Sequence, residues 1–200
     1  MEASEEVRAA AHRIGEVFGV SPQVLRFRHP SIRTATARSR RRCRSRRRRL
    51  PGPGYASYAT LDMVRFPTKR HHRRRPSDPH RTDHRRPRDY RLLLRRGLAQ
   101  CAFQVASGSL HVTPNTIVPN AVHAADPGRS TRHVLLVVPF IWATLEILVD
   151  REEDVTTWLQ AVPITDSELQ FASKYSTDEL FERLEAAGAD VSDIDRPSVV

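Results

Sequence analysis

The chain has 200 residues, enough for one domain with a sizeable core, and carries a formal net charge of +10 with a sequence pI of about 10.8. Residues 26–96 hold 25 of the 33 Lys and Arg but only 4 of the 23 Asp and Glu, so the basic character belongs to one segment and the rest is acidic. Two cysteines, Cys43 and Cys101, exclude a disulfide framework, and the longest apolar run, residues 134–148, is broken by Pro139, Thr144 and Glu146, short of the roughly 18 residues a membrane span needs.

In chain order, Val7, Ala10, Ala11, Ile14, Val17 and Phe18 recur at the three-and-four spacing of an amphipathic helix. Ser4 can cap it, Glu5 and Glu6 suit its positive end, and Gly19 can end it before the turn at Ser21-Pro22. Residues 1–22 are therefore the N-terminal amphipathic helix of a domain. No charged-then-apolar leader opens the sequence, so the expected setting is the reducing cytoplasm, with no membrane.

The composition then shifts. Residues 39–50 (SRRRCRSRRRRL) lack apolar periodicity, and residues 70–91 are rich in Arg, His and Pro. Neither stretch can bury enough apolar surface to offset chain entropy, and each repels itself. Low order is expected over 31–50 and 68–89. Between them lies an island, residues 53–67, in which Tyr55, Tyr58, Leu61, Val64 and Phe66 allow a strand.

Ordinary patterning resumes near Leu92. Leu94, Leu98, Cys101, Ala102 and Val105 make a helical stripe closed by Gly108. Residues 110–126 read as irregular, with short extended pieces. Residues 133–138 (HVLLVV) suit a strand buried on both faces. Residues 145–149 and 156–162 suggest two more strands joined by a charged turn. Thr165 with Glu168 and Ser176 with Glu179 match capping boxes opening two helices. Leu180, Phe181 and Leu184 form the buried stripe of the second, which Gly188 ends. Strands first and helices after, without regular alternation, give an α+β fold.

No phosphate loop, dinucleotide fingerprint, nucleophile elbow or HExxH is present, and no cofactor or catalytic set is expected. His71, His72, His80 and His84 lie among arginines, whose charge opposes a cation, so a solvated run fits better than a metal site. Cys101 with His111, His123 or His133 would make a nucleophile and base, but Cys101 falls on an apolar stripe and reads as a structural thiol. Asp190, Asp193 and Asp195 could do acid–base work or bind a cation. The plainer reading is a solvated turn in which Asp195 pairs with Arg196. Trp142 and Trp158 sit in apolar contexts that favour core packing over a ligand platform.

Taken together, the C-terminal pieces resemble a known family. Residues 158–200 carry WL-x-AVPI, a short acidic-capped helix, E-L-x-F-A, a second helix with Leu180 and Leu184, and a closing D-x-D-RPSVV. Upstream, LAQCAFQVASGSLHVTPNTIVPNAV (98–122), RHVLLVVPFIW (132–142) and, near the start, HRIGEVFG follow the same order of elements. SYATLDMVRFP, residues 57–67, is similar to the family's central strand region. These pieces resemble the bacterial form of the suppressor of fused-like domain, mainly over residues 92–200. The resemblance implies a mixed β-sheet flanked by helices and a non-enzymatic module that binds an unknown protein partner, possible roles including an immunity protein. It implies family-motif, structural roles for Trp158, Pro163, Glu168, Asp195, Arg196 and Pro197.

Residues 23–91 depart from the family pattern, with Arg, His and Pro where apolar strands belong. The Arg-rich region is thus expected to replace part of the sheet, leaving an unpaired edge. Three readings are open. Arg41, Arg42, Arg46, Arg47, Arg48 and Arg49 could contact phosphates of nucleic acid, although no aromatic residues interleave for stacking. The stretch could be a disordered basic linker. Or it could be a local reading in the wrong frame, which accounts for the abrupt shift and for the resumption near Leu92. Translating the other two frames over codons 24 to 91 decides the last: no apolar alternation in either rules it out.

Overall fold

A computed structural model of the chain describes residues 5–18, 23–28, 33–40, 56–60, 90–141, 148–151 and 154–200. The first helix, α1 (Glu5–Phe18), forms where the apolar stripe predicts it and buries Ile14. Strands β1 (Gln23–Arg28), β2 (Arg33–Arg40) and β3 (Ala56–Thr60) follow. They pair antiparallel in the order β1-β2-β3, with Arg28 opposite Arg33 and Thr36 opposite Thr60.

Within the span 31–50, where low order is expected, Arg33–Arg40 forms a strand, and residues 41–50 lie outside the described residues. The sheet is also present at residues 23–28, where the basic region was expected to have replaced it. The signal passed over was Thr34-Ala-Thr-Ala37, an alternation with β-branched residues that suits a pleated surface despite the flanking arginines. Ladder partners on β1 and β3 then satisfy backbone groups that local composition cannot. The strand foreseen in the 53–67 island is β3. Residues 41–55 and 61–89 lie outside the described residues, and so does the low order expected over 68–89.

Helix α2 (Tyr90–Ala106) lies against β2 and β3 and ends at Gly108, whose positive φ of 71° suits a residue without Cβ. Leu93, Gly97, Ala99, Cys101 and Ala102 are its buried residues. Gly97 sits mid-helix, and a Cβ there would meet only the Ala121 carbonyl oxygen at 3.8 Å, an ordinary contact. Gly97→Ala should therefore raise the unfolding free energy by about 0.5–1 kcal/mol through a less flexible unfolded chain. A urea melt showing a loss instead would reveal a clash or a needed bend.

A second sheet has the order β4-β5-β8, from β4 (Thr116–Val118), β5 (Thr131–Val137) and β8 (Gln160–Thr165). A separate hairpin joins β6 (Leu148–Arg151) to β7 (Asp154–Thr157). The expected strand over 156–162 is thus two, because 154–157 turns back on β6 while 160–165 pairs with β5. Among the described residues every pairing is antiparallel, in three sheets, which corrects the expected single mixed sheet.

Strand β5 is buried on both faces, as its unbroken apolar run predicts. Leu135 and Val137 pack with Val162, Ile164, Ala172, Leu180 and Leu184. Val134 and Leu136 face the other way, with Cys101, Val118, Ala121 and Val122. Helices α3 (Asp166–Lys174) and α4 (Thr177–Ala186) cover the first face. Thr165 and Glu168 form the full capping box at α3. At α4 the Ser176 hydroxyl accepts from the Glu179 N–H, and Ala189 N–H to Leu184 O closes the C-terminus past Gly188.

Candidate functional site

The capping geometry of α3 puts Glu168 on the first turn, facing inward, where it is fully buried. A lone buried carboxylate would be costly, but this one is surrounded by donors. Oε1 accepts from Arg196 Nη1 at 2.6 Å and from the Val199 N–H at 3.1 Å. Oε2 accepts from Arg196 Nη2 at 2.8 Å and from the Thr165 N–H at 2.9 Å. The two guanidinium contacts make the fork-to-fork pair that only arginine provides.

Arg196 is itself buried, and Nη2 and Nη1 also donate to the carbonyls of Pro163 and Pro197 at 2.9 and 3.1 Å. Proline at 163 leaves β8 without an N–H there, and its carbonyl turns to the tail's arginine. The tail is fastened at further points. Thr131 Oγ1 donates to Ile194 O at 2.6 Å and Ser130 Oγ to Arg196 O at 2.9 Å. Residues 194–199 thus strap the start of β5, the edge strand β8 and the first turn of α3 together. The strap meets the edge strand β8 at the Pro163 carbonyl.

Of the residues singled out from the sequence, Pro163, Glu168, Arg196 and Pro197 meet in this clasp. Asp195 does not pair with Arg196, which corrects that expectation. Glu168 draws Arg196 inward, and Asp195 turns out to Arg129 Nη1 at 2.6 Å. Trp158 is partly buried and shares no hydrogen bond with the clasp; its Nε1 is buried without a partner among the described residues. Trp142, His71, His72, His80, His84 and Arg41, Arg42, Arg46, Arg47, Arg48 and Arg49 lie outside the described residues.

The other candidates resolve into local contacts. Cys101 is a free, buried thiol whose pKa burial pushes up to about 12, against a smaller lowering by a backbone hydrogen bond. His133 accepts the Asn120 N–H at Nδ1 (2.9 Å) and donates from Nε2 to Asp166 Oδ1 (2.8 Å), so neither nitrogen is left for a thiol. Asp190 Oδ1 accepts from the Ser192 hydroxyl and N–H, which hold its carboxyl below the usual range. Asp193 Oδ1 accepts the Asp195 N–H. Among the described residues no group of three or more His, Cys, Asp or Glu is placed to hold a metal ion, and no helix is long and apolar enough to cross a membrane.

One network was not legible in the sequence. Asp166 receives His133 and, at 3.0 Å, Arg132, whose Nη2 lies 3.2 Å from His123 Nε2. The His133 hydrogen bond, aided by the Arg132 charge, holds the Asp166 carboxyl below its usual range. Asp166 lies 33 positions from His133, and the one hint was a histidine at the head of an apolar run.

The family model described as Suppressor of fused protein (SUFU) matches residues 41–197, most of the chain. This chain belongs to the suppressor of fused family. The match begins well before residue 92, inside the basic segment, so the suppressor of fused pattern extends further than its motifs alone mark out. Immunity protein YqcF of Bacillus subtilis (strain 168) is 38% identical over 104 residues, which are 52% of this chain and 54% of that protein. The chain therefore spans about half the length of that curated relative. A crystal structure titled as a putative suppressor of fused homologue from Neisseria gonorrhoeae FA 1090 superposes with a TM-score of 0.62 at 15% identity, covering 98% of this chain and 97% of that one. A structure titled as the Sufu-Fu complex gives a TM-score of 0.50 at 12% identity, over 97% and 92%. Both support the suppressor of fused fold.

Proposed function

We propose that this suppressor of fused protein is a non-enzymatic protein-binding module of the immunity type, which neutralises a protein partner by surface complementarity. The observation that carries this reading is the 38% identity to an immunity protein over 104 residues. The clasp supports it in a second way. Its conspicuous charges satisfy one another in the interior, so Glu168 and Arg196 serve the fold's rigidity rather than a substrate. A rigid surface loses less entropy on binding. On this reading Pro163, Glu168, Arg196 and Pro197 are structural, Asp195 and Trp158 peripheral to them.

The test is co-expression of the full chain with the polypeptide encoded beside its gene. Co-elution at fixed stoichiometry and rescued growth are expected. A folded chain that neither co-elutes nor rescues refutes the immunity reading. Salt-dependent binding to nonspecific duplex DNA, lost on deleting residues 39–49, would move the assignment to the arginine segment.

A further inference from the structure

Helix α4 presents two unlike flanks on either side of its buried Leu180 and Leu184. On one, Arg183 lies over the Phe171 ring at 5.6 Å, and Lys174 Nζ lies 4.9 Å from the Tyr175 ring centre. Those rings are served by this chain's own cations. On the other, Phe181 meets Phe140 edge to face, with ring centres 5.5 Å apart.

Phe140 remains 50% exposed and Val138, two residues earlier, 44%. Pro139 is buried between them, and Gln160 Oε1 accepts the Phe140 N–H at 3.2 Å, so the exposed ring is held on a fixed backbone. The rim is acidic. Asp178 and Glu185 stand three before and four after Phe181, on its own helix face, and Glu182 is adjacent. Asp178 Oδ1 already accepts from Asn115 Nδ2 at 2.7 Å. Glu182 and Glu185 are exposed and have no ion-pair partner among the described residues.

We infer that this flank, Val138, Phe140 and Phe181 rimmed by Asp178, Glu182 and Glu185, is a docking surface for a basic amphipathic segment of a partner protein. The inference rests on the protein-binding reading and names the chemistry of the partner. Exposed aromatics on a rigid support are the usual anchors of an interface core. Unneutralised carboxylates around them favour Lys or Arg and disfavour an acidic partner. The ring faces that the edge-to-face pair leaves open can take a guanidinium, as Phe171 does on the opposite flank.

The probe is a fluorescein-labelled peptide of alternating arginine and leucine, titrated into the full chain by fluorescence anisotropy. The basic segment at 26–96 repels this probe, so its binding reports the acidic face. Binding is expected to weaken by about tenfold in the Glu182→Lys, Glu185→Lys double variant and by about fivefold in Phe140→Ser. Lys174→Ala on the opposite flank should leave it unchanged. Circular dichroism melts of each variant check that the fold is kept, as expected for exposed positions. No binding, or binding indifferent to the acidic and Phe140 variants, overturns the surface. Co-elution with the gene-adjacent polypeptide would then still uphold the protein-binding reading, so the two failures are distinguishable.

Discussion

Replacing Arg196 by methionine is expected to destabilise the protein by about 3–5 kcal/mol, because it leaves the Glu168 carboxylate buried and uncompensated. Glu168 loses two of its four hydrogen bonds, and the Pro163 carbonyl loses the donor that reaches it. Glu168→Leu should also cost stability, since the guanidinium would then be the buried charge without a counterion. The double variant Glu168→Leu, Arg196→Met should recover a large part of either loss, as apolar groups of similar size relieve both charges. Urea denaturation of the four proteins measures the coupling. A loss below about 1 kcal/mol for Arg196→Met, the range of exposed ion pairs, would show that the clasp is open to water. The effect should reach beyond the pair, because the same strap ties Thr131 on β5 and Thr165 at the start of α3.

Cys101 should be nearly inert in the folded state. Burial raises its pKa from 9.0 to about 12, so at pH 8 the thiolate, the reactive form, is depleted by about a thousandfold relative to an ordinary thiol. With Cys43→Ser in the background to remove the other thiol, an aromatic disulfide reagent should react slowly with native protein and quickly in urea. Equal rates in both would place Cys101 in solvent. The same shift predicts a stability trend of definite sign. A raised folded pKa means that the unfolded chain gives up its proton first. The stabilisation is fully present below pH 9.0 and is lost as pH rises toward about 12. Urea midpoints compared at pH 8 and 10 should fall for the parent and fall less for Cys101→Ala.

The C-terminal half was legible because its signals are local. Thr165 with Glu168 announces a capped helix three residues apart, and HVLLVV announces a buried strand without reference to anything else. The strand at residues 33–40 was not legible for the opposite reason. Arginine density argues against burial, but an antiparallel strand needs only a suitable partner on each side, and β1 and β3 are partners that composition does not show. The site residues divide in the same way. Glu168 and Arg196 could be picked out as motif residues, yet their pairing spans 28 positions and Asp195 was the nearer and wrong choice.

By itself, then, the chain's sequence determined the α+β class, the two capped helices and the apolar β5 core, which depend on spacing within a few residues, and its ordered motifs over residues 92–200 carried the resemblance to the family. Tertiary structure decided which charges are buried together, where the tail meets the edge strand β8, and that the 33–40 run pairs into a sheet. It also decided that one flank of α4 carries its own cations while the other presents Phe140 among carboxylates. Burial and pairing across long separations are properties of packing, and desolvation assigns Glu168 to Arg196 and turns Asp195 outward.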